Sequence, residues 1–184
     1  MNSKKKLEAY KENITKYLIP YYEKELAKLT EEISRRYNIK HNGTEEEKRF
    51  LEDHWFDTYM VVGEKEFDIY NYEDFVKDKL YILRLEALPA NKKFFNQTLY
   101  TDVKPYYCVE EISADEVIVA PVDVKRAKNA EPYSQDWEYQ ILEGSEKKSF
   151  TLKRHKNGLF YEIGSKYCPF RLSEKPNYYY DYSF

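Results

Sequence analysis

The spacing of hydrophobic residues changes near the middle of this chain. Before Pro89, apolar side chains recur every three or four residues, as they do on one face of a helix. After Thr98 they alternate with polar residues, which is typical of strands with one buried face. The change predicts an α+β fold, with N-terminal helices packed on a curved antiparallel sheet of about four strands.

The N-terminal segment has a helical pattern with one interruption. Hydrophobic residues keep helical spacing from Lys4 to Tyr37, but Pro20 lies inside the run and shifts its phase. The sequence therefore predicts one long helix kinked at Pro20, or two helices in tandem. A turn is expected over residues 38–43.

Two further helices are predicted before Pro89. Thr44 and Glu47 have the spacing of a capping box, which begins a third helix, and Gly63 is a natural stop for it. A short strand around Phe67 follows. Asn71 is then expected to cap a fourth helix that ends before Pro89.

The second half predicts strands joined by tight turns. The expected strands cover residues 106–112, 116–125, 137–141, 150–152 and 159–163. Pro121 places the second strand at an edge or a bulge. Asn157-Gly158 is the strongest hairpin signal, because both residues tolerate positive φ. Four side chains are expected to face the helices: Trp137, Phe150, Leu152 and Tyr161.

Length and composition favour one domain. The 184 residues, of which 42% are hydrophobic, suffice for one core. Four parts are predicted within it: a helical segment over 1–43, helices with a short strand over 44–98, the sheet over 99–170, and an aromatic tail over 171–184.

Charge and cysteine content exclude several classes of function. The net charge of −3 argues against a direct nucleic-acid binder, although residues 44–88 carry thirteen acidic against six basic side chains, a local −7. Cys108 and Cys168 are too few for a disulfide framework or a zinc cluster. The sequence pattern indicates neither a secretory leader nor an apolar segment long enough to span a membrane, so a cytoplasmic protein with free thiols is expected.

One cluster resembles catalytic chemistry. On a helix, Asp53 and Asp57 would share a face, with His54 about a quarter-turn away, so His54 is a candidate general base. The same pattern suits a half-exposed histidine on an amphipathic helix. The three histidines and two cysteines have no metal-ligand spacing, and no phosphate-loop, dinucleotide or nucleophile-elbow motif occurs. No metal or cofactor is expected, and an enzyme is not favoured.

The twenty tyrosines are the second candidate feature. Six aromatic residues of the tail are candidate binding residues: Phe170, Tyr178, Tyr179, Tyr180, Tyr182 and Phe184. Tyrosine suits interfaces because it is amphipathic and has few rotatable bonds. The tail could equally be a last core strand. A composition rich in Tyr, Asn, Lys, Ile and Glu is also what an AT-rich bacterial or phage genome favours.

The order of elements resembles the cone-shaped fold of nuclear transport factor 2-like domains. More specifically, residues 100–170 resemble the segment that precedes a proposed amidase domain in many secreted bacterial proteins. The resemblance is carried by Val117-Ile118-Val119, Phe150-Thr151-Leu152-Lys153, Asn157-Gly158-Leu159-Phe160-Tyr161-Glu162-Ile163 and Tyr167-Cys168-Pro169-Phe170. It implies a fold that hosts unrelated activities, so it assigns no function.

Three functions remain open from the sequence. The first is a non-catalytic module that binds a ligand, another protein or a second copy of itself, away from membranes. The second is a small phage-type accessory protein whose acidic helices inhibit a host nucleoprotein complex. The third is a small-molecule enzyme of the cone-fold type that uses Asp53 and His54. The working surface is predicted to be the aromatic tail with its neighbouring strands, and not the histidine cluster.

Overall fold

The computed structural model describes residues 3–182. The chain divides into two compact units. One consists of residues Asn13–Arg84, and the other joins the residues up to Glu12 with those from Leu85 onward. The single domain expected from the length stays a prediction. Within residues 3–182, no helix is both long enough and apolar enough to cross a membrane.

Four helices and a hairpin occupy the first half. Their bounds are α1 (Ser3–Asn13), α2 (Ile19–Asn42), α3 (Glu45–Asp53), β1 (Met60–Val62), β2 (Lys65–Phe67) and α4 (Ile69–Ala87). A π-helical turn over Ile14–Leu18 joins α1 to α2, and Pro20 lies in the first turn of α2. The chain stays helical across this junction, since the Ile19 N–H donates to the Ile14 carbonyl. Proline has no N–H to donate, and the π-helical turn just before it adjusts the hydrogen-bond ladder at that point. The turn predicted over residues 38–43 is wrong, since α2 continues to Asn42.

The capping box at the start of α3 is confirmed. The Thr44 side chain accepts from the Glu47 backbone N–H, and the Glu47 carboxylate accepts from the Thr44 N–H. The end of this helix was predicted wrongly. It stops at Asp53, and Gly63 lies instead in the β1–β2 turn with φ +62°.

The helix α4 begins one turn earlier than predicted. Asp68, and not Asn71, caps it, because the Asp68 Oδ1 accepts from the backbone N–H groups of Tyr70 and Asn71 at 2.9 Å each. The core of this unit lies between α2 and α4. It is formed by the buried side chains Leu29, Ile69, Tyr72 and Val76.

The second half forms eight strands. Their bounds are β3 (Phe94–Thr98), β4 (Val103–Ser113), β5 (Glu116–Pro121), β6 (Asp123–Arg126), β7 (Trp137–Gln140), β8 (Phe150–Arg154), β9 (Phe160–Glu162) and β10 (Phe170–Ser173). Six of them close an antiparallel barrel in the order β10-β3-β4-β5-β8-β9, with β9 paired to β10. The α+β class is confirmed, but the sheet has six strands and not about four.

The barrel closes through two strands that the sequence pattern did not reveal. The short strands β3 and β10 pair with each other, Phe95 opposite Leu172, and complete the ring. The predicted strand over 116–125 breaks at Val122, beyond which β6 leaves the barrel and pairs with β7. Trp137 therefore pairs with Arg126, and not with the strand that holds Phe150.

The barrel interior is the second core. Seven buried residues fill it: Phe95, Cys108, Val117, Val119, Leu152, Phe160 and Phe170. Val117 and Leu152 lie opposite each other on β5 and β8, as period-two alternation requires. Tyr161 was expected on the face of Leu152, but it pairs with Lys153 on the opposite face, where its ring contacts His155.

Candidate functional site

The predicted catalytic cluster lies where α3 ends. His54 is the C-terminal cap of the helix, so Asp53 and Asp57 do not share a helical face. Packing of the next residue explains the early end: the Trp55 ring stacks on Tyr70 with 5.4 Å between centroids. That contact outweighs the weak tendency of this segment to continue as a helix.

His54 is nevertheless held by a carboxylate. Its Nδ1 lies 2.7 Å from Oδ2 of Asp57, a distance at which the carboxylate orients the imidazole. Both groups face solvent, with exposed side-chain fractions of 49% and 65%. The pair has the geometry of a base and its orienting group, but side chains this exposed stay in contact with bulk water, which a catalytic site normally excludes.

The structure separates the predicted tail residues into two groups. Phe170 is 1% exposed and lies in the barrel core, where its ring contacts Tyr106 and Phe150. It is therefore not available for binding. Phe184 lies outside the described residues.

The rest of the tail is anchored on the barrel unit. Tyr179 and Val103 exchange two backbone hydrogen bonds, of 2.9 and 3.1 Å. The backbone N–H of Tyr180 donates to Oε1 of Gln135, whose Nε2 donates back to the Tyr180 carbonyl. The N–H of Asp181 donates to a carboxylate oxygen of Asp102 at 3.0 Å. The tail thus has a defined path and meets the barrel strand β4 at the bridge between Tyr179 and Val103.

Aromatic rings of the tail meet rings from β7 and from the loop before it. Tyr178 packs edge-on against Trp137 at 4.7 Å between centroids. Tyr182 packs edge-on against both Tyr133 and Tyr180. We call this surface the tail face and define it by Arg126, Tyr133, Trp137, Tyr178, Tyr180 and Tyr182. Arg126 belongs to it because its guanidinium lies over the Tyr182 ring.

The residues of the tail face differ in solvent exposure and in backbone strain. Tyr133 is 73% exposed and Tyr180 is 41% exposed, so both rings present area to solvent. Tyr133 also has φ +65°, in the left-handed region that a residue with a Cβ adopts at a cost. Strained residues of this kind are often found at binding sites. Burial raises the pKa of Tyr178, and nearby Asp102 raises it further.

A third feature is a network of buried ions at one end of the barrel, which sequence reasoning missed. The Glu111 carboxylate accepts from the ammonium groups of Lys11 and Lys93. The Glu86 carboxylate accepts from Arg154 at 2.5 Å and from the Tyr10 hydroxyl at 2.6 Å. Lys93 also donates to the Glu86 backbone carbonyl at 2.8 Å, which links the two carboxylates into one network.

This network is closed to substrates. Lys93 and Glu86 are only 4% and 6% exposed, and the cavity beside them has a volume of about 10 Å³. That volume holds at most one water molecule. Burial lowers the pKa of Lys93, while burial and Glu86 raise that of Tyr10. The arrangement stabilises the barrel end and offers no space for chemistry.

Two sequence signals point to this network in hindsight. Arg154 is two residues from the buried Leu152, so strand alternation turns it inward. Glu111 faces inward only because a bulge between Cys108 and Glu110 shifts the alternation of β4 by one residue. The alternation that places Arg154 can be recognised in the sequence, whereas the bulge that places Glu111 cannot.

No other group in residues 3–182 has the character of a metal or redox site. In that part of the chain no three His, Cys, Asp or Glu side chains converge to hold a metal ion. Cys108 is buried in the barrel, and Cys168 is half-buried two residues before β10; they are not bridged. Burial, with Glu111 nearby, raises the pKa of the Cys108 thiol to about 12, which makes it a poor nucleophile.

Comparison with protein-family models, with curated proteins and with solved structures gave no match. The resemblance to nuclear transport factor 2-like domains therefore stays a prediction.

Proposed function

We propose that this chain is a non-catalytic protein-binding module whose tail face receives an extended segment of another protein. The observation that carries the proposal is the grouping of four tyrosines, one tryptophan and one arginine on one anchored surface. These three residue types dominate the energetics of protein interfaces.

Anchoring of the tail supports binding in a specific way. The Tyr179–Val103 backbone pair and the Gln135–Tyr180 hydrogen bonds already fix the tail in the free chain. A partner would then lose less affinity to the ordering of these side chains. The exposed rings of Tyr133 and Tyr180 supply the contact area.

The arrangement of the rings favours an extended, proline-containing partner. The Tyr182 ring is turned by 82° and 71° from the planes of its two neighbours, so the rings do not form one flat surface. Aromatic-lined surfaces of this kind bind polyproline II segments, whose backbone is extended before binding.

A small-molecule enzyme is the second candidate, and the 2.7 Å contact between His54 and Asp57 favours it. It ranks lower because both side chains are about half exposed or more, which leaves the pair in contact with bulk water.

Site-specific photocrosslinking tests the proposal. A photoreactive phenylalanine analogue would replace Tyr133 or Tyr180 in cells that naturally express the chain. Tyr167 is the matched control, since it is 82% exposed, lies in the same unit and is not part of the tail face. We expect the same crosslinked protein from positions 133 and 180, and none from 167.

A binding measurement completes the test. With the captured partner purified, Tyr180→Ala should weaken binding at least tenfold, and Tyr167→Ala should not. Equal crosslinking at all three positions, or equal affinity of the two variants, would contradict the proposal.

A further inference from the structure

A second surface lies in the helical unit, far from the tail face in sequence. The groove between α2 and α3 has a volume of about 380 Å³, which is the size of an ordinary ligand pocket. We call it the α2–α3 groove. Its lining residues are Arg35, Arg36, Ile39, Glu46, Glu47, Phe50, Leu51 and His54.

An exposed phenylalanine stands at the edge of this groove. Phe50 is 67% exposed, and its only ring contact in residues 3–182 is with His54, at 4.5 Å between centroids. Leu51, the next residue, is buried and also lines the groove. A large aromatic side chain beside an apolar groove is a typical anchor for an interface.

The two walls of the groove carry opposite charge. The α2 wall has Arg35 and Arg36, which both pair with Glu32, so the three side chains together have a net charge of +1. The α3 wall has Glu46 and Glu47, with a charge of −2. The hydrogen bonds from Thr44 lower the pKa of Glu47, so this carboxylate stays ionised while it caps the helix.

Because the two walls carry opposite charges, the groove favours an occupant that itself presents both charges. A basic peptide would meet the arginines of the α2 wall, and an acidic peptide would meet the glutamates of the α3 wall. A second copy of the same chain, related by a two-fold axis, would set each α2 wall against the α3 wall of the other copy. Two-fold interfaces of this kind are self-complementary, and they are the commonest in soluble proteins.

We propose that the α2–α3 groove is a homodimer interface, in which Phe50 of each copy enters the groove of the other and opposite walls pair. Arg35 and Arg36 of one copy then face Glu46 and Glu47 of the second copy. The proposal is independent of the tail face, because it uses a different unit of the chain.

Sedimentation velocity of the full chain tests the association. Over a concentration range of roughly 1 to 200 μM, we expect the mass to rise from the 22.3 kDa monomer towards twice that value. Phe50→Ala should weaken dimerisation at least tenfold. Tyr100→Ala is the control, since Tyr100 is 99% exposed outside the groove, and it should dimerise like the wild type.

A charge exchange tests the pairing of the walls. Glu46→Arg and Arg35→Glu should each weaken the homodimer, because each places like charges opposite one another. An equimolar mixture of the two variants should recover most of the wild-type association, since one contact in the mixed dimer has its original charges and the other has them exchanged.

Three outcomes would overturn the proposal. They are a 22.3 kDa monomer at every concentration, a dimer that Phe50→Ala leaves intact, and a mixture that associates no better than either variant alone. Circular dichroism of each variant verifies that the fold is retained, and the charge variants test the interface independently of Phe50→Ala.

Discussion

At the scale of single residues, Glu111 is the side chain on which the barrel end depends most. It is the shared acceptor for Lys11 and Lys93, and its side chain is only 9% exposed. An ion in such a place is destabilising unless its partners compensate for the loss of water. Each buried ion of the network is therefore tolerated only while its oppositely charged partners are present.

Glu111→Gln should be strongly destabilising. The substitution keeps the size of the side chain but leaves Lys93, which is 4% exposed, without its carboxylate. Breaking one partner of a buried ion pair costs about 3–5 kcal/mol. Urea denaturation of the wild type and the variant measures the difference in the free energy of unfolding.

Glu110→Gln is the matched control for this experiment. Glu110 precedes Glu111 on the same strand but is exposed, so its replacement should change stability by no more than about 0.5 kcal/mol. Similar losses in the two variants would show that the ion network does not stabilise the barrel.

The orientation of a single side chain could be predicted from the sequence where neighbouring residues decide it, and not where distant contacts do. The inward position of Leu152 followed from strand alternation, and that of Arg154 could have followed from it too. Glu111 could not be placed, because a bulge in β4 decides which way it points. His54 was placed on a helix that ends one residue earlier, since the packing of Trp55 is a tertiary effect.

At the scale of elements, the tail is intermediate between a core strand and a free arm. It forms one bridge to the barrel, at Tyr179 and Val103, and one ring contact between two half-buried residues, Tyr178 and Trp137. The sequence left both interpretations open. The contacts indicate a segment that stabilises the barrel unit moderately while it presents its outer rings to solvent.

Truncation after Asn177 should therefore lower the melting temperature without unfolding the chain. The two Tyr179–Val103 backbone hydrogen bonds and the Tyr178–Trp137 ring pair alone are worth about 2–4 kcal/mol. The side-chain hydrogen bonds to Tyr180 and Asp181, which are lost with them, contribute less because water replaces them. For a chain of this length such a loss corresponds to roughly 5–15 °C. Calorimetry measures the shift, and Tyr167→Ala, at an exposed position, should leave the melting temperature within about 1 °C.

Two results would contradict this view of the tail. An unchanged melting temperature would mean that the tail is a free arm. Loss of the folded state at room temperature would mean that it belongs to the core.

Helices and turns that depend on neighbouring residues could be predicted from the sequence. Strands that depend on pairing with a distant segment could not. The capping box at Thr44 and the turn at Gly158, with φ +80°, depend on neighbouring residues alone. The strand β3 pairs with its neighbour β4 on one side, but on the other it pairs with β10, more than seventy positions away, and both strands are only four or five residues long. Nothing within either segment reveals its partner.

At the scale of the whole molecule, closure of the barrel has a consequence for cysteine chemistry. Closing the ring of strands buries Cys108 among apolar side chains, where it is 2% exposed. Burial is the main cause that raises the pKa of its thiol from 9.0 to about 12, with Glu111 next, while Lys93 and Lys11 act in the opposite direction. The thiol thus keeps its proton in the folded chain at pH values where the unfolded chain loses it.

Stability should fall as the pH rises above 9 because of this residue. Between pH 9 and about 12 the folded state binds one more proton than the unfolded state, so the free energy of unfolding decreases with pH. From the two pKa values, the loss between pH 9 and 11 is about 2 kcal/mol. Below pH 9 this contribution to stability is fully present.

Comparison with Cys108→Ala isolates the effect. Lys93 and Tyr10 also titrate differently in the folded chain, but they are present in both proteins, so the difference in slope belongs to Cys108. Urea denaturation at pH 8, 9, 10 and 11 should show the variant losing about 2 kcal/mol less than the wild type over the alkaline range, whatever its stability at pH 8. Cys168→Ala retains Cys108 and should follow the wild-type slope. Parallel profiles for wild type and Cys108→Ala would mean that the thiol is not sealed inside a closed barrel, and that water reaches the interior in the folded state.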